Sequence, residues 1–179
     1  MHHRVIAITL RDLARIQLGY DLDAPLTAID WLTMPSSALG EMTAGAVYHD
    51  GVGELTALRQ QLAWYPDDVW LYLLAASWQR IGQEEHLMPR AGEAGDEMGS
   101  SIIGARLVRE VMRLCFLIER RYAPYPKWFG TAFARLQGAQ ELAPLLGQAQ
   151  RAATWRERES ALVPTYEALA RMHNRLGLT

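Results

Sequence analysis

The sequence predicts a mainly α fold, a helical bundle of four to five core helices behind a short N-terminal segment of mixed strand and helix. Three observations lead there. Beyond Gly53 the apolar residues recur at helical spacing. Two long apolar patterns, 69–78 and 102–122, have the character of core helices joined by short loops. Only one stretch, "RVIAITL" (4–10), reads convincingly as a strand, and one strand makes no sheet. Half of the 179 residues are apolar, enough to fill the core of one ordinary domain.

The elements follow in order. The strand at 4–10 needs a partner, such as the second apolar run "GAVYHD" (45–50) or another chain. An exposed strand edge there predicts self-association as a homodimer. "RDLARIQLG" (11–19) is a short helix stopped by Gly19, and 25–34 and 35–43 are helical turns opened by prolines. These pieces make residues 1–50 one unit and 51–179 a second, the bundle. In the bundle, Leu55, Leu58, Leu62 and Tyr65 form an amphipathic stripe that Pro66 ends. Asp67 or Asp68 opens the next helix, where an acid suits the positive end of the dipole. "VWLYLLAASW" is apolar all round and reads as a fully buried helix. The pattern 102–122 is the central helix, and "PKWFGTAFARL" (126–136) a short amphipathic one. Thr154 and Glu157 form a capping box that starts the last helix, which Pro164 kinks or interrupts.

Composition excludes some functions. A formal charge of −2 and a pI of about 6.2 argue against a general nucleic-acid or anionic-membrane binder. The charge is uneven. Residues 100–135 hold seven bases and two acids, and residues 84–97 hold five acids and one base, so the two blocks suit each other across a fold. One cysteine, Cys115, sits in an apolar run and reads as a packed core thiol in a reducing compartment. No apolar run approaches the roughly 20 residues that cross a bilayer. The expected location is the cytoplasm, with no membrane partner.

Several residues have the chemistry for a site. Glu93, Asp96 and Glu97 share a helical face seven residues after His86, but the Glu-x-x-His pairing of carboxylate bundles is absent. No metal site and no cofactor is therefore predicted, and the segment reads as a solvated acidic face. Its Gly92, Gly95 and Gly99 let another element pack closely. Arg80 and His86, five residues apart, match the Arg-x(4–6)-His spacing of HEPN ribonucleases, a two-residue pattern that arises often by chance. His173 lies one turn after Leu169 on an apolar stripe. It reads as a hydrogen-bonded rim residue or as an acid or base in a pocket. His49 beside Asp50 reads as a turn with a capping aspartate, or as a catalytic pair. Asp96 is the remaining candidate acid or base.

"YAPYPKWFG" (122–130) holds the only lysine, Lys127, against seventeen arginines. Pro126 fits the first position of a helix, which places Lys127 where free N–H groups favour an anion. Arg120 and Arg121 lie just upstream. Tyr125 and Trp128, with Tyr122, offer a stacking wall for a base or sugar. This is a candidate phosphate or carboxylate site. The alternative is an ammonium that reaches solvent while the aromatics fill the core.

Long strings, among them "AVYHDGVGELTALRQQLAWYPDDVWLYLLAASWQRIGQEE", "GDEMGSSIIGARLVREVMRLCFLIERRYAPYPKWFGTAFARL" and "ALARMHNRLGLT", resemble the bacterial domain-of-unknown-function family 4037. The resemblance implies a helical domain of the kind that follows a minimal nucleotidyltransferase domain in aminoglycoside-type enzymes. Such bundles close over nucleotide and acceptor, and Lys127 is similar to a lysine they aim at the nucleotide phosphates. The implied ligand is small and anionic or nucleotide-like, and the implied partner is a separate nucleotidyltransferase domain. The catalytic Gly-Ser followed by Asp-x-Asp is not there. "DLD" (Asp21, Asp23) precedes the only Gly-Ser (Gly99, Ser100), the reverse of the required order. Residues 1–50 then read as a remnant of the α/β unit. The resemblance implies an incomplete, non-transferring binding domain. A stand-alone small enzyme using the bundle pocket in a biosynthetic pathway and a HEPN-like ribonuclease are the alternatives.

Overall fold

The computed structural model describes residues 5–178, and among them it is helical with no strand. The helices are α1 (Leu10–Leu18), α2 (Ala28–Thr33), α3 (Ser36–Thr43), α4 (Glu54–Gln61), α5 (Asp67–Glu84), α6 (Leu87–Glu93), α7 (Glu97–Ile118), α8 (Phe129–Phe133), α9 (Ala139–Arg151) and α10 (Trp155–Asn174). A 3-10 turn, Pro126–Trp128, precedes α8. The chain forms two compact units, 1–69 and 70–179, and α5 spans the division. No helix is long and apolar enough to cross a membrane among the described residues.

In the first unit the expected strand does not form. Residues 5–9 and 44–50 have no strand pairing. Extended backbone there would leave its N–H and C=O groups without a ladder. Val5 and Ile6 stay exposed, so the apolar run is no core strand. Its last residues serve a helix instead. Thr9 caps α1, its hydroxyl accepting from Asp12 N–H. The strand-edge argument for a homodimer falls with the strand. Gly19, at φ +66, ends α1 as expected. A capping box of Thr27 and Asp30 opens α2, a signal more local than the upstream Pro25. Arg59 of α4 donates to the carbonyls of Thr43, Ala44 and Gly45 beyond α3. Trp31 meets Tyr65 edge-on, at 5.8 Å between ring centroids.

The second unit is the bundle. Its core runs along α7, where Leu107, Val111 and Leu114 are buried, and along α10, where Leu162 and Leu169 are buried. α9 and α10 pack together, and α7 contacts α6, α9 and α10. α5 buries Val69 and the stripe Trp70, Leu74, Ser77 and Ile81, while Leu71 and Tyr72 stay exposed. It lies on one side of the bundle, which corrects the expectation of a fully buried helix. The central helix begins five residues earlier than its apolar pattern, because Asp96 caps it by accepting from Gly99 N–H at 2.7 Å. α10 starts on the expected Thr154–Glu157 capping box and runs through Pro164 unbroken, since its apolar face is held by packing on both sides of the proline. Cys115 is fully buried, and burial pushes its thiol up to about 12.

The close packing expected of three glycines splits three ways. A Cβ on Gly92 would lie 2.2 Å from Trp155, so this glycine lets α6 meet α10. Gly95 is a turn at φ +85, and Gly99 faces only the side chain of its own cap, Asp96. The acidic and basic blocks meet through the ion pair of Arg106 with Glu84 at 2.9 Å.

Candidate functional site: an arginine-lined cavity

The site is built where α7 ends. Ile118 is its last residue, and Arg120 follows at φ +51, in the left-handed region. Arg120 N–H bonds to Leu117 C=O at 3.2 Å and Arg121 N–H to Phe116 C=O at 2.8 Å. This pair of bonds is a Schellman motif with arginine where glycine is usual. The backbone cost of a side chain there is about 1 kcal/mol. Trp70 offsets part of it. The Arg120 guanidinium lies 3.9 Å from the Trp70 ring centroid, a contact worth about 0.5–1 kcal/mol. The same indole donates to Leu117 C=O at 2.8 Å. One tryptophan thus closes the helix end and fixes the sharp turn that sends Arg121 the other way.

Arg121 lines an open cavity of about 640 Å³. The rim comes from three places: the end of α7, the 135–141 segment that opens α9, and the last turn of α10. It carries three guanidinium groups, Arg121, Arg135 and Arg175, and two carboxylates, Glu119 and Glu141. Both carboxylates are already engaged. Glu119 accepts from the backbone N–H groups of Gln137 at 3.0 Å and Gly138 at 2.8 Å, and so caps the start of α9. Glu141 pairs with Arg171 at 2.7 Å. Arg121, Arg135 and Arg175 form no ion pair among the described residues. Arg121 and Arg175 follow the C-terminal ends of α7 and α10, where the helix dipole favours a cation. Arginine's planar fork suits the oxygens of phosphate or carboxylate.

The predicted ligand residues do not gather at one point. Arg120 stacks on Trp70, and Arg121 enters the cavity. Lys127 sits in the 3-10 turn with its Nζ 5.0 Å from the Trp128 ring centroid, outside the cavity lining. The single helix expected over 126–136 is replaced by that turn and the five-residue α8. Gly130 and the short apolar run leave too little for a longer helix. Tyr125 and Trp128 remain 44% and 51% exposed, so they do not fill the core.

The other candidates hold structural positions. His173 Nδ1 accepts from Trp78 Nε1 at 3.2 Å, so a neutral ring carries its proton on Nε2. His49 is exposed in a loop. Its neighbour Asp50 accepts from Gly53 and Thr56 N–H over the start of α4, and Thr56's hydrogen bonds hold its carboxyl below the ordinary range. Asp96 is the α7 cap. Arg80 bonds to Glu110 at 3.0 Å and to Ser77 at 3.2 Å, whereas His86 lies on the rim of a different cavity that Arg80 does not line. Asp23 accepts from Arg11 at 2.9 Å, and Asp21 accepts from Arg15 at 2.9 Å, which holds both carboxyls below the ordinary range. Among the described residues no cluster of three His, Cys, Asp or Glu is placed to hold a metal ion.

Reading the sequence missed Arg135 and Arg175. The first was visible only as part of a basic block, and the second only as the base in "HNRLG". Nothing local says that the ends of α7 and α10 meet.

No curated protein and no solved structure matches the chain. The family described as "Domain of unknown function (DUF4037)" matches residues 31–129, more than half of the 179 residues, and the chain belongs to that family.

Proposed function

We propose that this chain is a helical binding domain for an anionic, nucleotide-like small molecule, and that it does not transfer nucleotides by itself. The observation that carries the reading is the cavity at the end of α7, where three arginines without carboxylate partners among the described residues line a space of about 640 Å³. An incoming phosphate gains charge-assisted bonds from groups that form no ion pair among the described residues. The volume is within the range of small-molecule sites. Transfer chemistry lacks support from the residues: the only Asp-x-Asp pair is taken up by Arg11 and Arg15. A nucleotidyltransferase domain acting beside the bundle would supply those carboxylates, as the resemblance implies.

Methyl NMR on protein with labelled methionines tests this directly, because Met172 lines the cavity. Titration with pyrophosphate, AMP and ATP should shift the Met172 signal. Arg135→Ala with Arg175→Ala should weaken binding at least tenfold, since two charge-assisted bonds of about 1.5–3 kcal/mol are lost. An unmoved Met172 signal at millimolar ATP and pyrophosphate would sink the reading. Lys127→Ala in parallel reports whether the 3-10 turn belongs to the site; unchanged affinity removes it. Mg²⁺-dependent AMP or CMP transfer by the purified chain would overturn the non-catalytic part.

A further inference from the structure

A second cavity lies along an earlier stretch of α10, walled by α6 and by residues 159–166, with a volume of about 400 Å³. Its floor is apolar, made by Met88, Pro89, Leu162 and Val163. Two carboxylates, Glu85 and Glu159, stand on its rim against one guanidinium, Arg90, and one imidazole, His86. Neither carboxylate has an ion-pair partner among the described residues, in contrast to Glu84, which holds Arg106. The hydroxyl of Tyr166, on the α10 wall, is buried and makes no hydrogen bond among the described residues. Buried polar atoms are ordinarily satisfied, so an orphaned hydroxyl on a residue that lines a cavity marks a place for a polar ligand atom. Burial, with the Glu85 charge, raises the Tyr166 phenol far above its ordinary range, so the hydroxyl stays neutral and can accept as well as donate.

We propose that this cavity binds a small primary amine carried on an apolar body. The ammonium meets Glu85 and Glu159 and donates to the Tyr166 hydroxyl. The body lies against Met88 and Leu162. Two carboxylates against one guanidinium and one imidazole set the preference for a cation over an anion. The ion pairs alone, formed at a partly exposed rim, give modest affinity; the apolar floor adds burial of the body. The cavity is separate from the arginine-lined one, so the two readings stand or fall independently.

The test uses the same methionine-labelled protein. Met88 lines this cavity and Met172 lines the other, so each signal reports one site. Hexylamine, hexanol and hexanoate are titrated in turn, with Met88→Leu to assign the signal. Hexylamine should shift the Met88 signal, leave Met172 in place, and bind at least tenfold more tightly than hexanol or hexanoate. Glu85→Gln with Glu159→Gln should remove that preference. Tyr166→Phe should weaken hexylamine several-fold without lowering the melting temperature, because it deletes a hydroxyl that has no partner. Equal shifts with hexanol would show an unselective apolar cleft and overturn the proposal. So would tighter binding of hexanoate, no response at Met88, or a double glutamine variant that still prefers the amine. The comparison of the three ligands on unmodified protein decides the matter even if the variants fold poorly.

Discussion

Arg158→Ala should cost about 3–5 kcal/mol of stability. Arg158 is 3% exposed in α10. Its guanidinium donates to Ser100 Oγ at 2.8 Å and to Ala152 C=O at 3.1 Å, and stands 3.7 Å from Glu97 Oε2. Its Cδ packs where a Cβ on Gly104 would sit, at 2.3 Å. Truncation removes two charged hydrogen bonds of about 1.5–3 kcal/mol each. It strands the fully buried Ser100 hydroxyl and the buried Glu97 Oε2. Leaving the Ser100 hydroxyl buried and unpaired adds about 1–3 kcal/mol, while the Glu97 side chain, 43% exposed, keeps part of its hydration. Arg158→Met combined with Glu97→Gln and Ser100→Ala keeps the stem and removes the stranded groups, so it should recover most of the loss. Urea unfolding followed by circular dichroism measures both. A cost for Arg158→Ala below about 1 kcal/mol, as for a surface pair, would refute the argument. So would a triple variant no more stable than the single one.

Gly92→Ala should destabilise by about 1–3 kcal/mol, since the Trp155 ring against Gly92 cannot move aside as a chain end would; thermal unfolding checks this. Cys115 should resist a thiol reagent at pH 8 in the native protein and react fully in denaturant, because its thiol is buried and raised to about 12. The first unit should lose stability as pH falls below about 4. Asp21, Asp23, Asp30 and Asp50 all have carboxyls depressed in the folded state, Asp21 and Asp23 by arginines and the other two by hydrogen bonds. A depressed carboxyl contributes stability that is present above its unfolded value and is lost as pH drops through its folded one. Hydrogen exchange over residues 10–62, corrected for intrinsic rates, should show protection falling across that range, and Asp50→Asn should flatten its part.

Local rules explain much of the chain. The Thr154–Glu157 box, the stop at Gly19 and the amphipathic stripes were all legible because each depends on residues a few positions apart. The same locality explains the errors. "RVIAITL" has strand composition, but a strand is completed by a partner at a distance, and none is present among the described residues. "VWLYLLAASW" looks buried on every side, yet only the position of α5 at the edge of the bundle decides which face is covered. Arg121 was found by its place beside other bases. Arg135 and Arg175 were not, since they join it only where the ends of α7 and α10 come together.

By itself, then, the sequence determined the helical class, several helix starts and stops, and the family, all properties carried by short-range chemistry and by long unbroken strings. The tertiary structure decided which charges remain unpaired. Whether an arginine is a surface counter-ion or a ligand group depends on what stands within about 4 Å of it, and that distance is set by how helices far apart in the chain meet.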